Sequence, residues 1–116
     1  MEGIRDDFSI LSDGDSLVAR LGGEIDHHTA APLREAIDSE LYLRHPKELV
    51  LDFTIVRFMD SSAIALIIGR AELARSVGCH VRVTGLSRSQ EKIVRLSGIE
   101  RIEGITVEKL EVENKR

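Results

Sequence analysis

The sequence is poor in what most function classes require. It holds one cysteine, two prolines, no tryptophan and four aromatic residues, Phe8, Tyr42, Phe53 and Phe58. A lone cysteine, Cys79, excludes an internal disulfide and fits a reducing compartment. Basic residues are not in excess: twenty acidic against sixteen basic side chains give a net charge of −4. Sequence-independent nucleic-acid binding needs clustered Lys and Arg, and single-strand binding also needs aromatic stacking platforms. Both are missing, so a nucleic-acid partner is set aside. The longest apolar runs, such as Ala63 to Ile68, fall far short of a bilayer span. The opening Met-Glu-Gly lacks the apolar stretch of a signal peptide. The expectation is a soluble, cytoplasmic protein with no membrane contact.

What is present points to one small domain. A length of 116 residues suits a single domain over 1–116, and 42% of it is hydrophobic, within the globular range. Ile, Leu and Val number 34, so the core is aliphatic and rich in stiff β-branched residues. Phe8 to Ser12 and Ser16 to Leu21 read as two strands joined at Ser12-Asp13-Gly14-Asp15, a hairpin signal. Thr29 then offers a helix cap, Pro32 sits in the first turn, and Leu33, Ala36, Ile37 and Leu41 form an apolar stripe up to His45-Pro46. Glu48 to Phe53 reads as a strand buried on both faces. A helix follows from Ser61, with Gly78 just past its end, and His80 to Thr84 alternates as another strand. Ser87-x-x-Gln90 is a capping box opening a helix whose buried side is Ile93, Val94 and Leu96. A short strand lies within Ile102 to Val107, and 108–116 is a charged helix or solvated tail. This order predicts an α/β domain: a small, mostly parallel mixed sheet with an antiparallel edge hairpin and helices mainly on one face.

Two strand-to-helix junctions concentrate the polar chemistry: Gly23-Glu24-Ile25-Asp26-His27-His28-Thr29 and Phe58-Met59-Asp60-Ser61-Ser62-Ala63. Asp26, His27 and Ser61 contain the residue types of a hydrolase triad, but Met-Asp-Ser-Ser-Ala is not a nucleophile elbow. His27 and His28 lack the i, i+4 spacing of a helical metal pair, and neither a P-loop nor a dinucleotide fingerprint occurs. No catalytic residue, metal or cofactor is expected. Asp-Ser-Ser before an apolar helix is by default an N-cap, and Asp26 is equally a candidate cap. The functional alternative is regulatory phosphorylation, since a phosphoryl group at a helix N-terminus adds roughly −1.5 to −2 charge without opposing the helix. Arg70 reads first as a solvated helix position.

Taken together, the two strings followed by Ile67-Ile68-Gly69-Arg70 resemble the anti-sigma factor antagonists of the STAS-domain family, most of all the sporulation member of the spoIIA operon. The likeness runs over about residues 8 to 100. It implies a non-enzymatic, monomeric protein that binds an anti-sigma factor, itself a serine kinase, and so releases a sigma factor. It also implies phosphorylation at Ser61, which blocks binding, and reversal by a PP2C-type, metal-dependent serine phosphatase. The partner-binding residues it implies are Gly23, Glu24, Asp26, His27, Asp60, Ser61, Ser62 and Arg70. Ala63 and Ala65 stand where the family usually has glycine, and Ala71 where it usually has an aromatic residue. Alanine firms the helix start by up to ~1 kcal/mol, and a Cβ at Ala63 is expected to narrow a kinase's approach to Ser61. Two further readings stay open: a constitutive scaffold in a signalling assembly, and a hydrolase using Ser61 with His27.

Overall fold

The computed structural model describes residues 4–5 and 8–109, so the tail expectation for 110–116 lies outside the described residues. Its elements are β1 (Ile4–Arg5), β2 (Phe8–Asp13), β3 (Ser16–Ile25), α1 (His27–Arg44), β4 (Glu48–Met59), α2 (Ser61–Ser76), β5 (His80–Thr84), α3 (Arg88–Leu96), a 3-10 turn (Ile99–Arg101) and β6 (Ile105–Val107). The strands form one sheet in chain order, β1 to β6. The expected hairpin is there: β2 and β3 pair antiparallel from Asp13↔Ser16, around a loop whose Gly14 has φ +63°. From β3 onward every pairing is parallel. Three crossovers step in one direction across the sheet, and right-handedness places α1, α2 and α3 on the same face.

The covered face holds the core. Leu17, Ala19 and Leu21 of β3, Leu49, Leu51 and Phe53 of β4, and Val81 and Val83 of β5 pack against Leu33, Ile37, Leu41, Leu66, Ile67, Ala74 and Val94 of the helices. β4 is therefore not buried on both sides, as its dense apolar run suggested. Val50 is covered on the open face, but Glu48 and Asp52 flank it there among polar neighbours. Glu48 takes hydrogen bonds from Arg82 Nε at 3.1 Å and from Ser16, while Glu108 takes them from Arg82 Nη1 and from Thr84, both at 2.5 Å. The Arg82 guanidinium holds the Glu48 carboxyl below its usual range, and the Thr84 hydroxyl, then Arg82, does so for Glu108.

This lowering has a pH consequence. Between the lowered folded-state values and the ordinary 4.5, the unfolded chain binds more protons, so stability is full above about pH 4.5 and falls as acid is added. Urea midpoints measured from pH 7 to pH 3 are expected to drop below pH 4.5, with a shallower drop in Glu48→Gln. Equal slopes in the two proteins would show that Glu48 carries none of it.

Helix starts and orientations depart from the sequence reading in two places. α1 begins at His27 with Asp26 as its cap, so Thr29 is the third residue of the helix and Pro32 lies in the second turn. α3 has the expected Ser87–Gln90 capping box, but only Gln90 and Val94 face inward, and Ile93 and Leu96 are exposed. The cause is polar. The Gln90 amide donates to the Val56 carbonyl at 3.1 Å, on the stretch of β4 that β5 leaves unpaired, and this contact fixes the rotation of the helix.

Candidate partner-binding site

The site is built where the parallel strands β3 and β4 end side by side. Ile25 is in register with Met59, and the next residues, Asp26 and Asp60, cap α1 and α2. The Asp60 N–H donates to the Ile25 carbonyl at 3.3 Å, tying the two junctions together. β3 reaches this point through two register shifts, between Arg20 and Gly22 and between Gly23 and Glu24, with Gly23 at φ +63°. Glycine takes that left-handed backbone without strain.

Both caps use the aspartate carboxylate. Asp26 Oδ1 accepts from the N–H groups of His28 at 2.9 Å and Thr29 at 3.0 Å, and Thr29 Oγ1 accepts from the Asp26 N–H at 2.9 Å. The Thr29 N–H, ahead of that of His28, holds the Asp26 carboxyl below its ordinary value. Asp60 Oδ1 accepts from the Ser62 N–H at 2.8 Å. The capping reading of these residues is thus correct, and Asp26 is committed to backbone donors rather than to orienting an imidazole. Ser61 is the first residue of α2; it is exposed, and its hydroxyl has no hydrogen bond among the described residues. Glu24, His27 and Asp60 are exposed beside it, with Gly23 and Ser62 half-buried.

Arg70 differs from its first reading. It is 6% exposed, not solvated. Its Nε donates to Asp38 Oδ1 at 2.6 Å, Nη2 to Asp38 Oδ2 at 3.3 Å and Nη1 to the Leu66 carbonyl at 3.3 Å. This fork pins α2 to α1, and a bidentate geometry of this kind needs arginine rather than lysine. Ala63 is fully buried, so its Cβ packs into the core and does not narrow the approach to Ser61.

Seven of the eight sequence-indicated residues, from Gly23 to Ser62, therefore share one rim, while Arg70 sits two turns along α2. Two relevant residues, Asp38 and Arg34, escaped the sequence reading, and Phe58 entered it only as part of a junction string. Asp38 lies 32 positions from Arg70, with no local signal. Phe58 is 52% exposed opposite Glu24, an outward aromatic in a chain with four. Arg34 lines the groove between α1 and α2, and only its spacing of seven from His27 hinted at a shared side. Among the described residues no group of three or more His, Cys, Asp or Glu side chains could hold a metal, and no helix is long and apolar enough to cross a membrane.

The chain belongs to the STAS domain family, whose model matches residues 8–112. Among curated relatives it is similar to the anti-sigma F factor antagonist of Paenibacillus polymyxa, 33% identical over 86 residues that make up 74% of each chain. The anti-sigma F factor antagonist of Lysinibacillus sphaericus is 27% identical over 85 residues and 73% of each chain. Among solved structures, the anti-sigma factor antagonist SpoIIAA in its unphosphorylated form superimposes with a TM-score of 0.74 at 25% identity, over 90% of each chain. The phosphorylated form of the Bacillus cell fate determinant SpoIIAA gives 0.68 at 25% identity, over 90% of this chain and 93% of that one. The fold and the antagonist likeness expected from the two junction strings are both met.

Proposed function

We propose that this chain is a cytoplasmic anti-sigma factor antagonist controlled by phosphorylation at Ser61. Unphosphorylated, it docks an anti-sigma serine kinase through the rim formed by Gly23, Glu24, Asp26, His27, Asp60, Ser61 and Ser62, and so frees a sigma factor. Arg70 positions this surface by locking the two helices whose ends compose it. Phosphorylated, it releases the kinase, and a PP2C-type serine phosphatase restores the binding form. The observation that carries the reading is the exposed Ser61 hydroxyl, without a hydrogen bond among the described residues, at a helix start tied to the Asp26 junction. Relatives are described as antagonists, and one solved neighbour as phosphorylated. The buried Ala63 Cβ removes the steric argument for the scaffold reading, and the commitment of Asp26 to backbone donors weighs against the hydrolase.

The test uses each anti-sigma kinase encoded in the source genome, purified and incubated with this chain and Mg-ATP. One kinase is expected to add a single phosphoryl group to the wild-type chain, seen by intact mass, and none to Ser61→Ala. Stoichiometric modification of Ser61→Ala would refute the site.

A further inference from the structure

Helix α2 carries a glycine that the fold does not ask for. Gly69 has no positive φ, and a Cβ built on it meets no atom within 4 Å. Glycine inside a helix destabilises it relative to alanine, and nothing within the described residues offsets that loss. The empty space above Gly69 belongs to an open groove of about 290 Å³ between α1 and α2, floored by Ala30, Ala31 and Ala65.

The charged residues along this groove have one sign. Arg34 and Arg70 line it, together with His27, and no acidic residue does. Arg70 is neutralised by Asp38, whereas Arg34 is exposed and makes no ion pair within the described residues. In a chain of net charge −4, this is a local reversal. Ser62 lies at the groove's end, where it meets the rim.

The geometry points to this groove as the seat of an acidic segment of the protein partner, with its backbone passing close over Gly69 and a carboxylate paired with Arg34. A guanidinium free of internal partners can receive a carboxylate bidentately, and a missing Cβ permits close backbone approach. This rests on the docking function proposed above and adds a second contact that neither Asp26 nor Ser61 supplies.

The experiment is calorimetric titration of the full chain and its variants with whichever purified anti-sigma factor of the source genome binds it. Gly69→Ala is expected to raise Tm while weakening binding at least tenfold. Arg34→Glu is expected to weaken binding at least tenfold at unchanged Tm, and Arg34→Ala to flatten the salt dependence of affinity. Wild-type affinity in both Gly69→Ala and Arg34→Glu would overturn the groove and leave the Ser61 switch standing. A lower Tm in Gly69→Ala would also overturn it, because the glycine would then serve the fold. If the wild-type chain binds none of the anti-sigma factors, the docking function fails and the groove proposal falls with it.

Discussion

Ser61→Asp is expected to reduce affinity for the proposed anti-sigma partner more than a hundredfold while leaving Tm unchanged or slightly raised. The two halves of this result have separate causes. Ser61 is the first residue of α2, where an acidic side chain meets the positive end of the helix dipole, so the fold tolerates or gains from the charge. The same position is exposed among Glu24, Asp26 and Asp60, so a docked partner must desolvate an added carboxylate beside three existing ones. Burying a charge without a partner costs several kcal/mol, and about 2.7 kcal/mol already accounts for a hundredfold. Ser61→Ala is expected to bind within about threefold of wild type, because the hydroxyl has no hydrogen bond among the described residues to lose. Isothermal titration of the three proteins decides it. Ser61→Asp binding as well as Ser61→Ala would remove the electrostatic basis of the switch.

Gly85→Ala carries the largest expected loss of stability, about 3 kcal/mol. Gly85 follows β5 with φ +78°, a left-handed backbone that alone costs alanine roughly 1–2 kcal/mol. Its Cβ would also stand 2.7 Å from both the Thr54 backbone nitrogen and Asp52 Oδ1. Those atoms cannot easily yield, because Asp52 Oδ1 accepts from the Thr54 N–H at 2.9 Å and from its hydroxyl at 2.6 Å. The contact braces β4 where it runs on past β5 toward Met59 and the α2 cap, paired with β3 only, so the damage spreads to the rim. For a domain of this size Tm should fall by roughly 10 °C or more. Gly104→Ala is the control. That glycine has φ +93° with open space around it, so only the backbone strain of roughly 1–2 kcal/mol applies and the fall should be smaller. Equal falls in the two variants would dismiss the steric part of the argument.

Much of this architecture could be read from local sequence because local physics determined it. The Asp13-Gly14 hairpin, the Ser87–Gln90 box and the Asp60 cap each depend on residues within a few positions of one another. Asp26 and Thr29 were harder to order, since both residue types cap helices. The structure uses both, with aspartate as the cap and threonine answering from the third position. β4 was read only to Phe53 because its last turn of chain pairs with β3 alone. Ile55 and Phe58 then face outward, and the buried pattern stops where the strand does not. Ile93 and Leu96 had the spacing of a buried stripe, yet the helix turns Gln90 and Val94 inward instead, with the Gln90 amide donating to the Val56 carbonyl. The Arg70–Asp38 fork joins two helices across 32 residues and leaves no trace in either one. The junction strings were legible as polar strand-to-helix turns, but the groove beside them was not, because it exists only once α1 and α2 are packed.

The seat at the start of α2 is already taken. Asp60 receives the Ser62 N–H through its carboxylate and the Ala63 N–H through its carbonyl, at 2.8 Å and 3.0 Å. A phosphoryl group placed on Ser61 by the proposed switch would therefore find these two backbone donors already taken, and only the helix dipole would favour its charge. From the exposed Ser61 it would project outward. The two forms of the protein would then share one fold and differ only in what they show to a partner, so turning the signal over requires no unfolding or repacking. In the proposed switch, the lifetime of each state would then be set by the modifying enzymes rather than by the domain.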